Sequence, residues 1–173
     1  MKRKYWVLLI VVCCILFLDQ WSKSLVQQRL SLYQKVEVIP CFFNLVHVRN
    51  TGGAFGIFGG ERGGIGSIIF IAVSLIAIGS ILYLFVRLTE HDRTLSLSFS
   101  LILSGAIGNL LDRLRFGEVI DFLDFYLFSH HWPAFNIADS AISLGIGLMA
   151  LELLLRDQKK SKERTKSKVP NPK

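Results

Sequence analysis

The chain has 173 residues, of which 51% are hydrophobic, and its mean hydropathy is +0.46. This composition excludes an ordinary water-soluble domain and indicates one small unit that lies mostly in lipid. The net charge of +7 arises at the chain ends and connections, and the basic stretch 156–173 has no aromatic residue that could stack on a base, so we expect no nucleic-acid partner.

Four apolar stretches are long enough, or nearly long enough, to cross a hydrocarbon core, which takes about 20 residues of helix. They cover residues 5–26, 67–88, 95–111 and 137–155. The sequence therefore predicts a mainly α membrane protein with four transmembrane helices. We expect one domain over residues 1–155, followed by a basic, disordered tail over residues 156–173.

The first predicted helix has the basic flank of a secretory signal, because residues 2–4 are all Lys or Arg. No small-x-small cleavage site follows, and the polar stretch 19–23 lies where such a site is expected, so we interpret the helix as a retained anchor. A lipid-modified cysteine at Cys13 or Cys14 is the alternative. The bulky residues before them are unlike those of a lipobox.

The basic residues also predict the orientation of the chain. They cluster before the first helix, between the second and third helices at Arg87 and Arg93, and after Leu155. With four crossings these three places fall on one side, which the positive-inside rule makes cytoplasmic. Both termini are then cytoplasmic, and the two longer connections lie outside.

The first outer connection, residues 36–58, mixes β-branched and aromatic residues with turn formers. This pattern predicts a small β-rich extracytoplasmic subdomain. Residues 59–66 are rich in glycine but lack the lysine of a phosphate loop, so we expect no nucleotide site. The adjacent His130 and His131 do not have the spacing of a helical zinc pair, and Cys41 is the only outer cysteine, so we expect no metal, no cofactor and no outer disulfide.

Several polar residues lie within the predicted helices, where they are costly and therefore usually functional. Asp19 and Lys23 are four residues apart, so they share a helix face and can neutralise each other. The third helix carries a second group at similar spacing, which we interpret as a polar brace beneath a site: Asn109, Asp112 and Arg113. Gly105 and Gly108 would let a neighbouring helix approach this group.

A pair of carboxylates is the strongest candidate for chemistry. Asn136 and Asp139 have the spacing of a helix cap, which alone would explain both. Asp121, however, lies in the connection leading to them, and antiparallel third and fourth helices would bring Asp121 and Asp139 together at the outer face. One of two close carboxylates holds a proton while the other takes a proton from water, which suits metal-free peptide hydrolysis. By spacing alone, Asp124 is an equally good partner for Asp121.

Two other classes of function use some of the same residues. A serine–lysine peptidase could be built from Ser22, Lys23 and Ser24, but adjacent residues on a helix do not face each other. An ion-coupled transporter could use the intramembrane aspartates as a relay. The sequence shows neither an inverted repeat nor paired broken helices, which such transporters contain.

Four ordered motifs between residues 19 and 147 resemble the lipoprotein signal peptidase (signal peptidase II) family of bacterial aspartyl peptidases. They are DQWSK from Asp19, VRNTGGAFG from Val48, GAIGNLLDRLRFGEVIDF from Gly105 and FNIADSAI from Phe135. One departure is Gly53, where the family often has alanine. The family's β-rich cradle would correspond to residues 36–58.

The resemblance implies that Asp121 and Asp139 are the catalytic pair, and that Asp124 is only a neighbour. It implies cleavage of diacylglyceryl-modified prolipoproteins just before the lipid-bearing cysteine, by a multi-pass enzyme of the bacterial cytoplasmic membrane. Its partners would be these substrates and membrane lipids, and we expect a monomer. The positions that would orient the substrate or support the aspartates are Asp19, Lys23, Asn50, Gly52, Asn109, Asp112, Arg113 and Asn136.

Overall fold

A computed structural model describes residues 2–51 and 65–167 of the chain. It contains four helices, each long and apolar enough to cross a membrane, as the sequence predicts. They are α1 (Arg3–Arg29), α2 (Ile65–Arg87), α3 (Arg93–Phe116) and α4 (Ile137–Ser167).

The last helix requires a correction to the predicted boundary at Leu155. α4 continues to Ser167, through residues that the sequence assigned to a disordered tail. The stretch 156–167 is rich in Lys, Arg, Glu and Gln, which are good helix formers, and its sequence contains neither Gly nor Pro. The segment is therefore polar but still helical, and residues 168–173 lie outside the described part of the chain.

Helix α3 is the centre of the bundle. It packs against α1, α2 and α4, and 67% of its most apolar window is buried, compared with 6 to 17% for the other helices. Three of its buried serines are satisfied within the helix, because Ser98, Ser100 and Ser104 each donate a hydrogen bond to the carbonyl four residues earlier. The other three helices leave large apolar side chains exposed, as lipid-facing helices do.

Small residues allow α3 to approach its neighbours closely, as the sequence predicts for Gly105 and Gly108. A Cβ atom at Gly105 would collide with the carbonyl oxygen of Ala138 on α4. A Cβ atom at Gly108 would lie 2.7 Å from a carboxylate oxygen of Asp19 on α1. The contact of α3 with both helices therefore requires glycine at these positions.

A four-stranded antiparallel sheet lies at the end of the bundle where α3 ends and α4 begins. Its strands are β1 (Lys35–Ile39), β2 (Phe43–Asn50), β3 (Val119–Leu127) and β4 (His130–His131), in that spatial order. β1 and β2 agree with the predicted β-rich connection, of which residues 52–58 lie outside the described residues. The sequence did not predict β3 and β4, which it treated as part of a connection.

Pairing between β2 and β3 places the polar residues of the sheet. Gly117 ends α3 with a φ of 73°, a left-handed conformation that glycine adopts without strain, and β3 begins two residues later. In the ladder, Val48 is opposite Asp121, and Asn44 is opposite Asp124. Side chains alternate along a strand, so Asp121 and Asp124 point to opposite faces of the sheet.

Candidate active site

The Asn136 side chain and backbone connect Asp121 and Asp139. Asn136 Nδ2 donates to Asp121 Oδ1 at 2.8 Å, while the Asn136 backbone N–H donates to Asp139 Oδ2 at 3.2 Å. In return, Asp139 N–H donates to Asn136 Oδ1 at 3.0 Å, which completes a reciprocal cap at the start of α4. The predicted cap is confirmed, and the same asparagine also holds the carboxylate of β3.

Asp121 lies in β3 with only 2% of its surface exposed. Burial, and secondarily the charge of Asp139, raises the pKa of Asp121 to about 7. Hydrogen bonds from Asn50 Nδ2, at 3.1 Å, and from Asn136 oppose this shift but do not cancel it. Near neutral pH this carboxyl group can therefore exist in either protonation state, which suits proton transfer.

Asn109, on α3, fixes the orientation of Asp139. Its Nδ2 donates to Asp139 Oδ1 at 2.7 Å. Its Oδ1 accepts from Lys23 Nζ at 3.0 Å and from Asn136 Nδ2 at 3.2 Å. Because both of these neighbours are donors, the Asn109 amide has one favourable orientation, with its NH₂ group toward Asp139.

Lys23 lies beneath the pair and is 1% exposed. Its Nζ is 2.9 Å from Asp19 Oδ2 and 2.9 Å from Asp112 Oδ2. The sequence predicts the first of these ion pairs from helical spacing, and the structure confirms it. The second ion pair joins α1 to α3, so a buried lysine has two carboxylates and one amide oxygen as partners.

The same two carboxylates also hold the backbone just before each candidate catalytic aspartate. Asp19 Oδ1 accepts from the N–H of Ala138 at 2.9 Å, and Asp112 Oδ2 accepts from the N–H of Ile120 at 3.2 Å. Ala138 precedes Asp139, and Ile120 precedes Asp121. The cluster of Asp19, Lys23 and Asp112 is therefore connected to both segments that carry the pair.

The other predicted positions differ in how closely they approach the pair. Asn50, at the end of β2, contacts Asp121 directly. Arg113 donates to the Asn109 carbonyl at 3.4 Å, and its guanidinium lies 5.1 Å from the centre of the Phe70 ring. Gly52 lies outside the described residues.

Asp124 belongs to a different group on the opposite face of β3. Its two oxygens contact Asn44 Nδ2 at 2.7 Å and His131 Nδ1 at 2.8 Å. These contacts connect β4 to β3 and β2. Asp124 and Asp121 are thus close in sequence but are not members of one cluster.

The residues of the serine–lysine alternative do not form the required contacts. Ser22 Oγ donates to the Asp19 carbonyl, and Ser24 Oγ accepts from Gln28. Lys23 Nζ instead contacts the carboxylates of Asp19 and Asp112 at 2.9 Å each, so it is not placed to activate either serine.

One residue in the cluster had no signal in the sequence. Gln20 Nε2 donates to Asp19 Oδ2 at 3.1 Å, Asp112 Oδ1 at 3.0 Å and the Gly108 carbonyl at 3.3 Å, and therefore connects α1 to α3. A glutamine next to Asp19 gives no indication of this role until the packing of the helices is known.

Comparisons with known proteins agree with this architecture. A family model described as signal peptidase (SPase) II matches residues 11–155. A lipoprotein signal peptidase of Geobacter metallireducens is 45% identical over 166 residues, which cover 94% of this chain and 99% of the relative. One of Desulforapulum autotrophicum is 48% identical over 139 residues, covering 80% and 86% of the two chains.

A solved structure is also similar. It is a bacterial membrane enzyme determined by the in meso method, and it superposes with a TM-score of 0.78 at 30% sequence identity. The match covers 96% of this chain and 94% of that chain.

Proposed function

This chain belongs to the signal peptidase II family, a family of aspartic peptidases, and from that premise we propose that Asp121 and Asp139 are its catalytic pair. The chain is an endopeptidase that removes signal peptides from prolipoproteins. The observation that carries the assignment of the pair is the bridge by Asn136, which hydrogen-bonds to both carboxylates.

The chemistry follows from one proton shared by the pair. The ionised carboxylate takes a proton from water, and the resulting hydroxide attacks the carbonyl carbon of the scissile bond. The protonated carboxyl group donates its proton to the carbonyl oxygen. When the C–N bond breaks, the leaving amine receives the proton that was taken from water. A hydroxyl of the tetrahedral diol returns its proton to the other carboxylate as the carbonyl re-forms, so the pair again holds one proton.

The supporting residues orient this pair. Asn50 and Asn136 donate to Asp121, while Asn109 donates to Asp139. Asp19, Lys23 and Asp112 support the pair through Asn109 and through the backbone before each aspartate. We propose that Gly52 and Arg113 orient the substrate or support the aspartates, as their positions in the family motifs imply.

The chain is a multi-pass protein of the bacterial inner membrane. In the proposed orientation both termini are cytoplasmic, and the catalytic pair and the sheet are at the outer face. The proposed substrate carries a diacylglyceryl group on the cysteine that follows the scissile bond. Withdrawing such a group from lipid costs roughly 0.8 kcal/mol per CH₂, so a pair at the membrane surface lets the lipid remain in the bilayer.

The test compares isosteric variants on a purified, lipid-modified precursor. Asp121→Asn and Asp139→Asn should each lower kcat by about 10²- to 10⁴-fold or more, because either change removes the shared proton chemistry. Asp124→Asn is the matched control, since it makes the same change on the same strand at the opposite face. We expect the monomeric fraction of the purified enzyme to carry full activity. Cleavage at the normal rate by both Asp121→Asn and Asp139→Asn would disprove the pair.

A further inference from the structure

A second polar site lies at the end of the bundle opposite to the aspartate pair. It is a cavity of about 70 Å³ between the first turns of α1 and α3. Its lining residues are Arg3, Lys4, Val7, Glu90, Arg93 and Ser96. Three cationic side chains thus face one carboxylate, and the cavity is far from the catalytic chemistry.

The backbone adds positive potential to this cavity. Both α1 and α3 begin here, and the first N–H groups of a helix lack partners within the helix and carry partial positive charge. Among the described residues, no side chain caps either N-terminus, and neither first turn contains an acidic residue. Asp92, at the cap position of α3, uses its carboxylate to accept from Thr89 and to pair with Arg156.

Lys4 contributes charge and also fixes the position of the cavity. It is 5% exposed, and its Nζ donates to the carbonyls of Phe85, Val86 and Leu88 at the end of α2. The N–H groups of the Lys4 side chain are thereby occupied, but the positive charge of Lys4 remains beside the cavity. Arg3 and Arg93 are exposed, and neither forms an ion pair with another described residue.

Ser96 supplies the observation that indicates a ligand. Ser98, Ser100 and Ser104 on the same helix return their hydroxyl groups to backbone carbonyls. Ser96 is just as buried, at 3% exposed, yet its hydroxyl makes no hydrogen bond within the described part of the chain. Ser96 lines the cavity, so its hydroxyl opens onto the cavity without a hydrogen bond to a described residue and can donate to a bound group there.

From these observations we propose that this cavity binds the phosphate of an anionic phospholipid. Arg3, Arg93 and the Ser96 hydroxyl would donate hydrogen bonds to the phosphate oxygens, and the two helix N-termini would add to the attraction. Glu90 would accept from a headgroup hydroxyl. The stretches of α1 and α3 that are long and apolar enough to cross a membrane begin at Arg3 and Arg93, so the cavity lies at the polar end of both, where a lipid phosphate could reach it. Val7, one helical turn deeper than Arg3, gives it an apolar inner wall.

The experiment measures the thermal unfolding midpoint of the full chain in detergent during titration with three probes. These are dihexanoyl phosphatidylglycerol, dihexanoyl phosphatidylcholine and inorganic phosphate. We expect a saturable rise with phosphatidylglycerol at concentrations where the other two probes cause little change. The double variant Arg3→Gln/Arg93→Gln should bind it at least about tenfold more weakly, and Ser96→Ala should bind it several-fold more weakly.

A matched control removes the same charge from the same end of the bundle. Arg87→Gln/Lys159→Gln changes two basic residues that do not line the cavity, so its titration should follow that of the unaltered protein. All variants should cleave a lipid-modified precursor normally, because the cavity is at the other end of the helices. If the control variant bound phosphatidylglycerol as weakly as Arg3→Gln/Arg93→Gln, the weakening would arise from general surface charge, and the proposed site would be overturned. An equal response to inorganic phosphate would overturn the assignment to a lipid.

Discussion

The carboxylate of Asp19, on the first helix, accepts a hydrogen bond from the backbone N–H of Ala138 at 2.9 Å, on the first turn of the fourth helix. A side chain distant in sequence thus helps to cap the helix on which Asp139 stands. The same carboxylate pairs with Lys23. Asp19 therefore stabilises the fold and fixes the position of one member of the proposed catalytic pair.

This relationship predicts a specific kinetic effect of Asp19→Ala. Removing the acceptor leaves the Ala138 N–H buried and unpaired and costs about 1–3 kcal/mol of stability. The start of α4 should then move, so kcat should fall by at least about tenfold while KM changes little, because a small displacement of a catalytic group is expensive. Steady-state kinetics on a lipid-modified precursor would measure both. Asp157→Ala, an exposed carboxylate on α4, is the control.

Lys23 allows a test of how the buried charges compensate one another. Lys23→Met should destabilise the protein by about 3–5 kcal/mol, because it leaves two buried carboxylates without their counter-ion. Adding Asp112→Asn to Lys23→Met should recover part of that loss, since one of those carboxylates is then neutral. Chemical unfolding in detergent of the two single variants and the double variant gives the coupling energy. Strictly additive effects would contradict the ion pair seen at 2.9 Å.

The raised pKa of Asp121 predicts how activity depends on pH. The pair needs one proton, and with the pKa of Asp121 near 7 that proton is lost as the pH rises above neutrality. We therefore expect kcat/KM to fall on the alkaline side of about pH 7, approaching a tenfold decrease per pH unit. A pH profile measured with detergent-solubilised enzyme and a constant amount of substrate per micelle would test this. A rate that stays level to pH 9 would contradict it.

The stability of the protein should also depend on pH through the titration of Asp121, and should decrease as the pH rises. Asp121 has an unfolded pKa near 3.8 and a higher folded pKa, so the folded state holds a proton that the unfolded state releases. Its contribution to stability is complete below about pH 4 and is lost as the pH rises through 7. Asp121→Asn imitates the protonated form, and its unfolding midpoint should fall less than that of the unaltered protein between pH 4 and pH 8. Over this pH range, Asp121 should lower the free energy of unfolding of the unaltered protein by at most about 4 kcal/mol.

Local patterns predicted much of the site, while contacts between elements were harder to foresee. The Asp19–Lys23 pair and the Asn136–Asp139 cap are set by spacing along one helix, and the structure contains both. The position of Asp124 could not be predicted, because Asp121 and Asp124 point to opposite faces only when the segment that contains them is a strand. That strand depends on pairing with β2, about seventy residues earlier in the chain.

The close contact between α3 and α4 gives the last prediction. A methyl group at Gly105 would collide with the Ala138 carbonyl and lie 2.7 Å from Ile142, so Gly105→Ala should push the start of α4 away from α3. We expect a loss of about 1–3 kcal/mol in stability and a larger proportional loss in kcat, since the Asn109 to Asp139 hydrogen bond spans the same interface. Gly79→Ala is the matched control, because a Cβ atom at Gly79 would meet nothing within 4 Å. Gly79→Ala should leave activity unchanged and stabilise α2 slightly, by up to about 1 kcal/mol. If the unfolding midpoints of Gly79→Ala and Gly105→Ala moved in the same direction, close packing at Gly105 would be contradicted.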